Sequence, residues 1–97
     1  MPIEFHPEAR AELLAAAEYY ESQQAGLSRR FIEAVADAAQ HIQATPLAYQ
    51  VIEGVFRRCR VLRFPYGVIF QITHDYIYII AVMNLRRQPG YWKQRAP

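Results

Sequence analysis

The sequence predicts an α+β fold, with an N-terminal strand, an antiparallel helical hairpin, and then an antiparallel sheet of three to four strands. Three observations lead to this prediction. The first half of the chain repeats apolar residues at helical spacing in two stretches that only a few residues separate. After Pro46 the composition changes to β-branched and aromatic residues, which favour strands. Ninety-seven residues suffice for one hydrophobic core, so we expect a single domain over residues 1–97.

Local signals place the ends of the helices. Pro7 suits the first position of a helix, Gly26 suits a left-handed stop, and the residue before Pro46 resists the helical conformation. His6 stands at the cap position before Pro7, although histidine is a poor cap compared with Ser or Asp. The predicted elements are a strand at residues 3–5, a helix from Pro7 to near Gln24, and a helix that Ser28 caps and that ends at Thr45-Pro46. Their short connection predicts an antiparallel pair.

The second half is predicted to be a sheet. Pro65 cannot donate to a strand ladder, so it marks a turn or a bulge. The predicted strands are residues 48–52 at an edge, 55–64, 66–73 and 76–83, with turns at Glu53-Gly54 and His74-Asp75 and a turn or single helical turn at residues 89–92.

The last two strands are apolar on both faces. Side chains alternate between the faces of a strand. One face of the first of them carries Tyr66, Val68, Phe70 and Ile72, with Ile69 opposite; the last strand carries Tyr76, Tyr78, Ile80 and Val82 on one face and Ile77, Ile79, Ala81 and Met83 on the other. The helical hairpin covers only one face. We therefore expect the second face to be covered by the C-terminal segment around Trp92 or by another chain.

The strand at residues 55–64 carries cations on both faces. Arg57, Cys59, Val61 and Arg63 share one face, and Arg58, Arg60, Leu62 and Phe64 share the other. Charge is also divided along the chain: residues 1–54 hold eight carboxylates against three arginines, or −5, and residues 55–97 hold eight basic residues against Asp75, or +7. Such asymmetry indicates a basic surface for a polyanion or an acidic protein.

Several classes of function find no support in the sequence. The three histidines, His6, His41 and His74, have no metal-ligand spacing and are expected to be surface or capping residues. Cys59 has no evident base partner, so we expect a buried strand residue, and one cysteine fits a reducing cytoplasm. No signal peptide or membrane-spanning run is evident, and we expect no metal, no cofactor and no membrane contact.

A basic and aromatic group of residues is the main candidate site. Arg57, Arg58, Arg60 and Arg63 would meet Arg86, Arg87, Lys93 and Arg95 if both segments lie in one sheet, with Tyr66, Tyr91 and Trp92 between them. Arginine forks and aromatic faces suit phosphate or RNA. They suit an acidic, partly hydrophobic peptide equally well, and salt bridges to the acidic helices would also account for the arginines.

These residues resemble the RelE/ParE superfamily of toxins from bacterial type II toxin–antitoxin modules. The resemblance rests on the segments 57–70, 79–82 (Ile-Ile-Ala-Val), 86–92 (Arg-Arg-Gln-Pro-Gly-Tyr-Trp), 5–9 (Phe-His-Pro-Glu-Ala), Tyr19-Tyr20 and Arg30-Phe31. It implies the same strand, hairpin and sheet. It also implies a cognate antitoxin whose acidic and apolar C-terminal segment wraps the toxin, a role in plasmid stabilisation, and either a homodimer or a toxin–antitoxin hetero-oligomer in the cytoplasm.

Two activities occur in this superfamily. ParE-like members inhibit DNA gyrase without being enzymes, and RelE-like members cleave mRNA on the ribosome. For a ribonuclease, the resemblance implies Arg58, Arg60, Arg86, Arg87 and Tyr91 as catalytic candidates. Target or partner binding would fall to Arg57, Arg63, Phe64, Tyr66, Tyr91, Trp92, Lys93 and Arg95. Asn84 stands where the family often has histidine, and asparagine cannot transfer protons, so we favour the gyrase inhibitor; an inactive relative that only binds antitoxin is the third hypothesis.

Overall fold

A computed structural model describes residues 1–97 and places a helical hairpin across one face of a five-stranded sheet. The helices are α1 (Pro7–Gln23) and α2 (Leu27–Ala44), and the strands are β1 (Ile3–Phe5), β2 (Val51–Glu53), β3 (Phe56–Arg60), β4 (Tyr66–Ile72) and β5 (Ile77–Asn84). The strand order is β1-β5-β4-β3-β2, and every pairing is antiparallel except that of β1 with β5. The predicted α+β fold is confirmed, and β1 joins the sheet as a parallel edge strand.

The connection between the helices differs from the prediction in its cap. Gly26 adopts the left-handed conformation with φ 87°, as predicted, but α2 begins at Leu27, one residue before Ser28. The Glu21 carboxylate of α1 accepts bonds from the N–H groups of Gly26 and Ser28 and from the Ser28 hydroxyl, the last at 2.7 Å. These bonds lower the pKa of Glu21. A side chain from the preceding helix therefore caps α2.

His6 caps α1 although histidine is a weak capping residue. Its Nδ1 accepts a hydrogen bond from the Glu8 N–H at 3.0 Å. The predicted edge strand at residues 48–52 is present as β2 at the edge of the sheet, but it begins only at Val51 because a short 3-10 helix occupies Pro46–Ala48.

The predicted strand at residues 55–64 is too long at its C-terminal end. β3 stops at Arg60 because Arg63 adopts a left-handed conformation with φ 71° and the Val61 N–H bonds the Tyr66 carbonyl at 2.9 Å. These features close a tight turn between β3 and β4. Leu62 and Phe64 therefore do not continue the strand face that carries Arg58 and Arg60.

A β-bulge at Ile80 changes which face each residue of β5 occupies. Ile69 pairs with Ala81 but Phe70 pairs with Ile79, so Ile80 is an extra residue in β5. As a result Ile77, Ile79 and Val82 pack in the core beneath the helices, whereas Ile80, Ala81 and Met83 pack on the other side. The predicted strict alternation along this strand is wrong beyond Ile79.

Each face of the sheet has its own core. The first, between helices and sheet, includes Phe31, Val35 and Ile42 of α2. The second consists of Phe56, Ile69, Ile80, Ala81, Met83 and Trp92. Trp92 is 1% exposed, and its ring lies 4.8 Å from that of Phe56. Residues 85–97, here named the C-terminal strap, therefore cover the second face, which decides between the two covers that the sequence left open.

Neither helix combines the length and the apolar character that crossing a bilayer would require.

Candidate functional site

The C-terminal strap is held by one carboxylate of α1. Glu12 Oε1 accepts bonds from Arg95 Nη1 at 3.0 Å and from the Val82 N–H at 3.0 Å, and Oε2 accepts from the Tyr91 hydroxyl at 2.8 Å. The side chains of Glu12 and Arg95 are 17% and 10% exposed. Arg95 also donates to the Ile80 carbonyl at 3.1 Å. This group of residues, the Glu12 clamp, joins α1, β5 and the strap.

Tyr91 is fully engaged by the clamp. The Arg87 guanidinium carbon lies 3.8 Å from the centre of its ring, and that of Arg95 lies 5.1 Å away. Burial, and then the hydrogen bond to Glu12, raise the pKa of Tyr91. A phenol that already donates to a carboxylate and resists ionisation is poorly placed to give a proton to a substrate.

The other strap residues predicted for the site also have partners within the molecule. Arg87 Nη1 lies 3.9 Å from Glu12 Oε2, and Lys93 forms an ion pair with Glu53, the last residue of β2. Trp92 lies in the second core and donates from Nε1 to Met83 Sδ at 3.3 Å. Most of the charged and aromatic side chains of the strap therefore bind to or pack against other residues of the chain.

β3 divides its arginines between the two faces. Arg57 Nη1 donates to the Tyr49 carbonyl at 2.7 Å, which fixes it on the helix side of the sheet. Cys59 on the same side is 6% exposed, and burial raises the pKa of its thiol. Arg58 crosses the opposite face at Gly67, where an added Cβ would lie 3.1 Å from both Arg58 Cδ and Leu85 Cδ2.

Of the arginines after position 54, four have neither a carboxylate within 4.0 Å nor a side-chain hydrogen bond, and all four lie at one end of the sheet. Arg60 pairs with Gly67, Tyr66 pairs with Asn84, and the Leu85 N–H bonds the Pro65 carbonyl at 2.8 Å. These contacts bring the end of β3, the β3–β4 turn and the end of β5 together. The four residues, here named the arginine end, are Arg58, Arg60, Arg63 and Arg86.

An aromatic cluster supports the arginine end from beneath. Tyr20 and Phe31 pack against Phe64 and Tyr66 with ring centres 5.0–6.1 Å apart. Burial, and next the nearby Tyr66, raise the pKa of Tyr20, and the charge of Arg86 opposes this rise. Phe64 and Tyr66, predicted as binding residues, thus pack mainly within the molecule and set the position of the turn above them.

A groove of about 990 Å³ separates α2 from β3 and the β3–β4 turn. One wall carries Glu33 and Asp37 of α2, one helical turn apart, together with Arg30, and the other carries Arg60 and Arg63. The floor and rim are largely apolar, and Leu62 at the rim is 74% exposed. The groove therefore offers an apolar surface between two walls of opposite net charge.

The sequence interpretation did not identify Glu12 as a site residue. A signal was present, since Glu12 follows Ala9 by three residues and precedes Ala16 by four, within the stripe that faces the core. A carboxylate in such a stripe needs partners. Nothing local indicates that those partners are Tyr91 and Arg95.

The comparisons with known proteins now identify the family. A family model described as the ParE toxin of the type II toxin–antitoxin system parDE matches residues 3–89. The chain belongs to this family of ParE toxins. The resemblance to the RelE/ParE superfamily is thereby confirmed, and the chain is a type II toxin by family. The matched range ends before Tyr91, Trp92 and Arg95, so most of the strap's part of the Glu12 clamp lies outside it.

A solved structure shows the same fold. It is described as the chromosomal ParDE toxin–antitoxin system from P. aeruginosa, and it matches with a TM-score of 0.66 and 17% sequence identity. The match covers 87% of this chain and 95% of that chain. The comparison with curated proteins finds no match.

Proposed function

We propose that this ParE-family toxin inhibits growth by binding and poisoning DNA gyrase, without catalysing a reaction, and that a cognate antitoxin neutralises it in the cytoplasm. Family membership supports the toxin role. The observation that carries the choice of gyrase over mRNA is the state of Tyr91, whose hydroxyl donates to Glu12 at 2.8 Å.

Ribonuclease chemistry requires groups that take and give protons at the scissile ribose and phosphate. The candidates in this chain suit that task poorly. Tyr91 has a raised pKa and is bound to Glu12, and arginine holds its proton at any physiological pH. Asn84 at the end of β5 cannot exchange protons. The arginine end is therefore better suited to binding than to proton transfer.

A gyrase supercoiling assay tests the proposal. Purified toxin should inhibit supercoiling of relaxed plasmid by gyrase, and prior mixing with antitoxin should restore it. Supercoiling that continues unchanged at a large excess of toxin contradicts the gyrase target.

Primer extension on translated mRNA tests the ribonuclease alternative. Induction of the toxin without antitoxin should leave the pattern of 5′ ends unchanged while growth stops. New 5′ ends within coding regions would instead establish the mRNA endonuclease, and unchanged growth would favour an inactive relative that only binds antitoxin.

We propose that the antitoxin binds in the groove between α2 and β3. Glu33 and Asp37 face Arg60 and Arg63 across an apolar floor, so the fitting partner is an amphipathic segment with basic residues on one side and acidic residues on the other. The wall from Arg30 to His41 extends over roughly 17 Å at 1.5 Å per residue. This length suits about three turns of a bound helix.

A matched pair of leucine variants tests this seat. Leu62 and Leu47 are 74% and 75% exposed, but only Leu62 lines the groove. Leu62→Asp should weaken antitoxin binding at least about tenfold, or 1.4 kcal/mol, because it places a charge at an apolar contact. Leu47→Asp should leave binding unchanged, and equal effects of the two variants would place the antitoxin elsewhere.

A further inference from the structure

The arginine end keeps a charge that the molecule does not neutralise. Of the eight basic residues after position 54, Arg87, Lys93 and Arg95 form ion pairs with acidic residues, and Arg57 bonds a backbone carbonyl. The remaining four have no such partner and are exposed, except for the half-buried Arg58. Four unpaired cations held together in this way raise the local positive potential.

These arginines extend beyond the groove. Arg60 and Arg63 line its wall, but Arg58 lies on the opposite face of the sheet, where its side chain packs beside Gly67 and Leu85. Arg86 follows β5 on the far side of the turn and also does not line the groove. A peptide in the groove would therefore leave Arg58 and Arg86 without a partner.

The aromatic rings on the segments that carry the four arginines are not free to stack on bases, and the nearby Tyr19 of α1, which is 59% exposed, offers a single ring. The ring of Tyr91 lies beneath Arg87, that of Trp92 is buried, and those of Phe64 and Tyr66 pack in the aromatic cluster. Single strands and RNA loops are bound by stacking their bases on free aromatic faces. Phosphates of a duplex backbone need only cations. The surface therefore fits a double-stranded polyanion better than a single strand.

We propose that the arginine end binds the phosphate backbone of duplex DNA directly, through Arg58, Arg60, Arg63 and Arg86 and without sequence preference. This binding needs no gyrase, and two of its four arginines, Arg58 and Arg86, lie outside the groove. It would give the free toxin an affinity for the DNA on which its target works.

Titration of a short labelled duplex of arbitrary sequence with purified toxin, read by fluorescence anisotropy without gyrase, tests the proposal. Each neutralised phosphate contributes about −0.9 to the slope of log K against log salt, so four contacts predict a slope of about −3.6. Between about 50 and 200 mM salt, affinity should then fall roughly 150-fold. A slope near zero would refute the proposal.

Matched charge variants locate the surface. Arg58→Gln and Arg86→Gln should each make the slope shallower by about 0.9. Arg10→Gln removes the same charge from an exposed arginine that lies over the Phe5 ring, about 15 Å along α1 from Tyr20, and should leave the slope unchanged. An equal effect of Arg10→Gln would show binding by net charge alone and overturn the assignment. Urea unfolding of each variant confirms that it folds.

Two competitors separate duplex DNA from other partners. Poly-glutamate should compete far less well than unlabelled duplex at equal charge, and single-stranded DNA should bind more weakly than duplex. Effective competition by poly-glutamate would show a surface for acidic peptides, and tighter binding of the single strand would show base stacking; either result overturns the proposal. Because the anisotropy assay contains no gyrase, a lack of DNA binding in it would not change the interpretation of the supercoiling assay.

Discussion

Replacement of Glu12 by glutamine should destabilise the fold more than any other change of a single charge. The substitution leaves the Arg95 guanidinium, which is 10% exposed, without its closest carboxylate partner. Removal of one partner of a buried ion pair costs about 3–5 kcal/mol. Glu8 lies 3.6 Å from Arg95 Nε and offers partial compensation, so we expect the lower end, about 3 kcal/mol.

The loss is measurable by urea or thermal unfolding. For a domain of this size, about 3 kcal/mol lowers the melting temperature by roughly 12–24 °C. Glu18→Gln is the matched control, since Glu18 is exposed on the same helix and should change stability by less than about 0.5 kcal/mol. The double variant Glu12→Leu/Arg95→Met should regain part of the loss because neither charge remains unpaired, although the Val82 N–H and the Tyr91 hydroxyl lose their acceptor. A Glu12→Gln protein as stable as the Glu18→Gln protein would refute the clamp.

Three further predictions concern the strap and the arginine end. Above pH 10 the unfolded chain loses the Tyr91 proton while the folded chain keeps it, so the free energy of unfolding should fall by up to about 1.4 kcal/mol per pH unit. Urea titrations at several pH values measure this dependence, and Tyr91→Phe should remove the part that Tyr91 contributes. If stability falls with pH equally in the wild-type protein and in Tyr91→Phe, the Tyr91 hydroxyl is not held by Glu12. Trp92→Ala should lower the free energy of unfolding by about 3–5 kcal/mol in the same assay because it leaves a cavity in the second core. A decrease of less than about 1 kcal/mol would mean that the strap does not cover that core. Arg86→Ala should change stability by less than about 0.5 kcal/mol, and Arg58→Ala by somewhat more because its stem packs beside Gly67. Both should reduce growth inhibition on induction without antitoxin by more than they reduce folding; parallel loss of folding and toxicity contradicts the assignment.

The helices and strands were predictable where their signals are local. The apolar stripe of Phe31, Val35, Ala38 and Ile42 identified α2, and Thr45-Pro46 its end. The beginning of α2 was missed because its capping group is Glu21, in the preceding helix. Such a cap depends on how the two helices pack against each other. The residues next to the start of α2 give no sign of it.

Two of the errors within the sheet, at the end of β3 and along β5, have a common cause. Arg63 has a side chain that disfavours φ 71°, and Ile80 is a residue that normally continues a strand. Local propensity therefore predicts extended structure at both positions. Tertiary packing overrides it: the turn brings Phe64 onto Tyr20, and the bulge places Ile80 and Ala81 on the face that the strap covers.

The composition of the candidate site was predictable, but its division into paired and free cations was not. The clamp bonds join Glu12 to Tyr91 and Arg95 across sequence separations of 79 and 83 residues. Sequence spacing carries no information on such contacts. The sequence prediction therefore grouped Arg95 with Arg58 and Arg86. In the structure Arg95 pairs with Glu12 and stabilises the fold, whereas Arg58 and Arg86 have no acidic partner.

The strap also changes what an antitoxin has to do. From the sequence, the second face of the sheet needed a cover, and the antitoxin was one candidate. Trp92 and its neighbours bury that face within the chain itself, and the Glu12 clamp fixes the strap to α1 and β5. Completion of the fold is therefore not required of a partner. The surfaces that remain unmatched are the groove with its two charged walls and the arginine end, and neutralisation would consist of masking them.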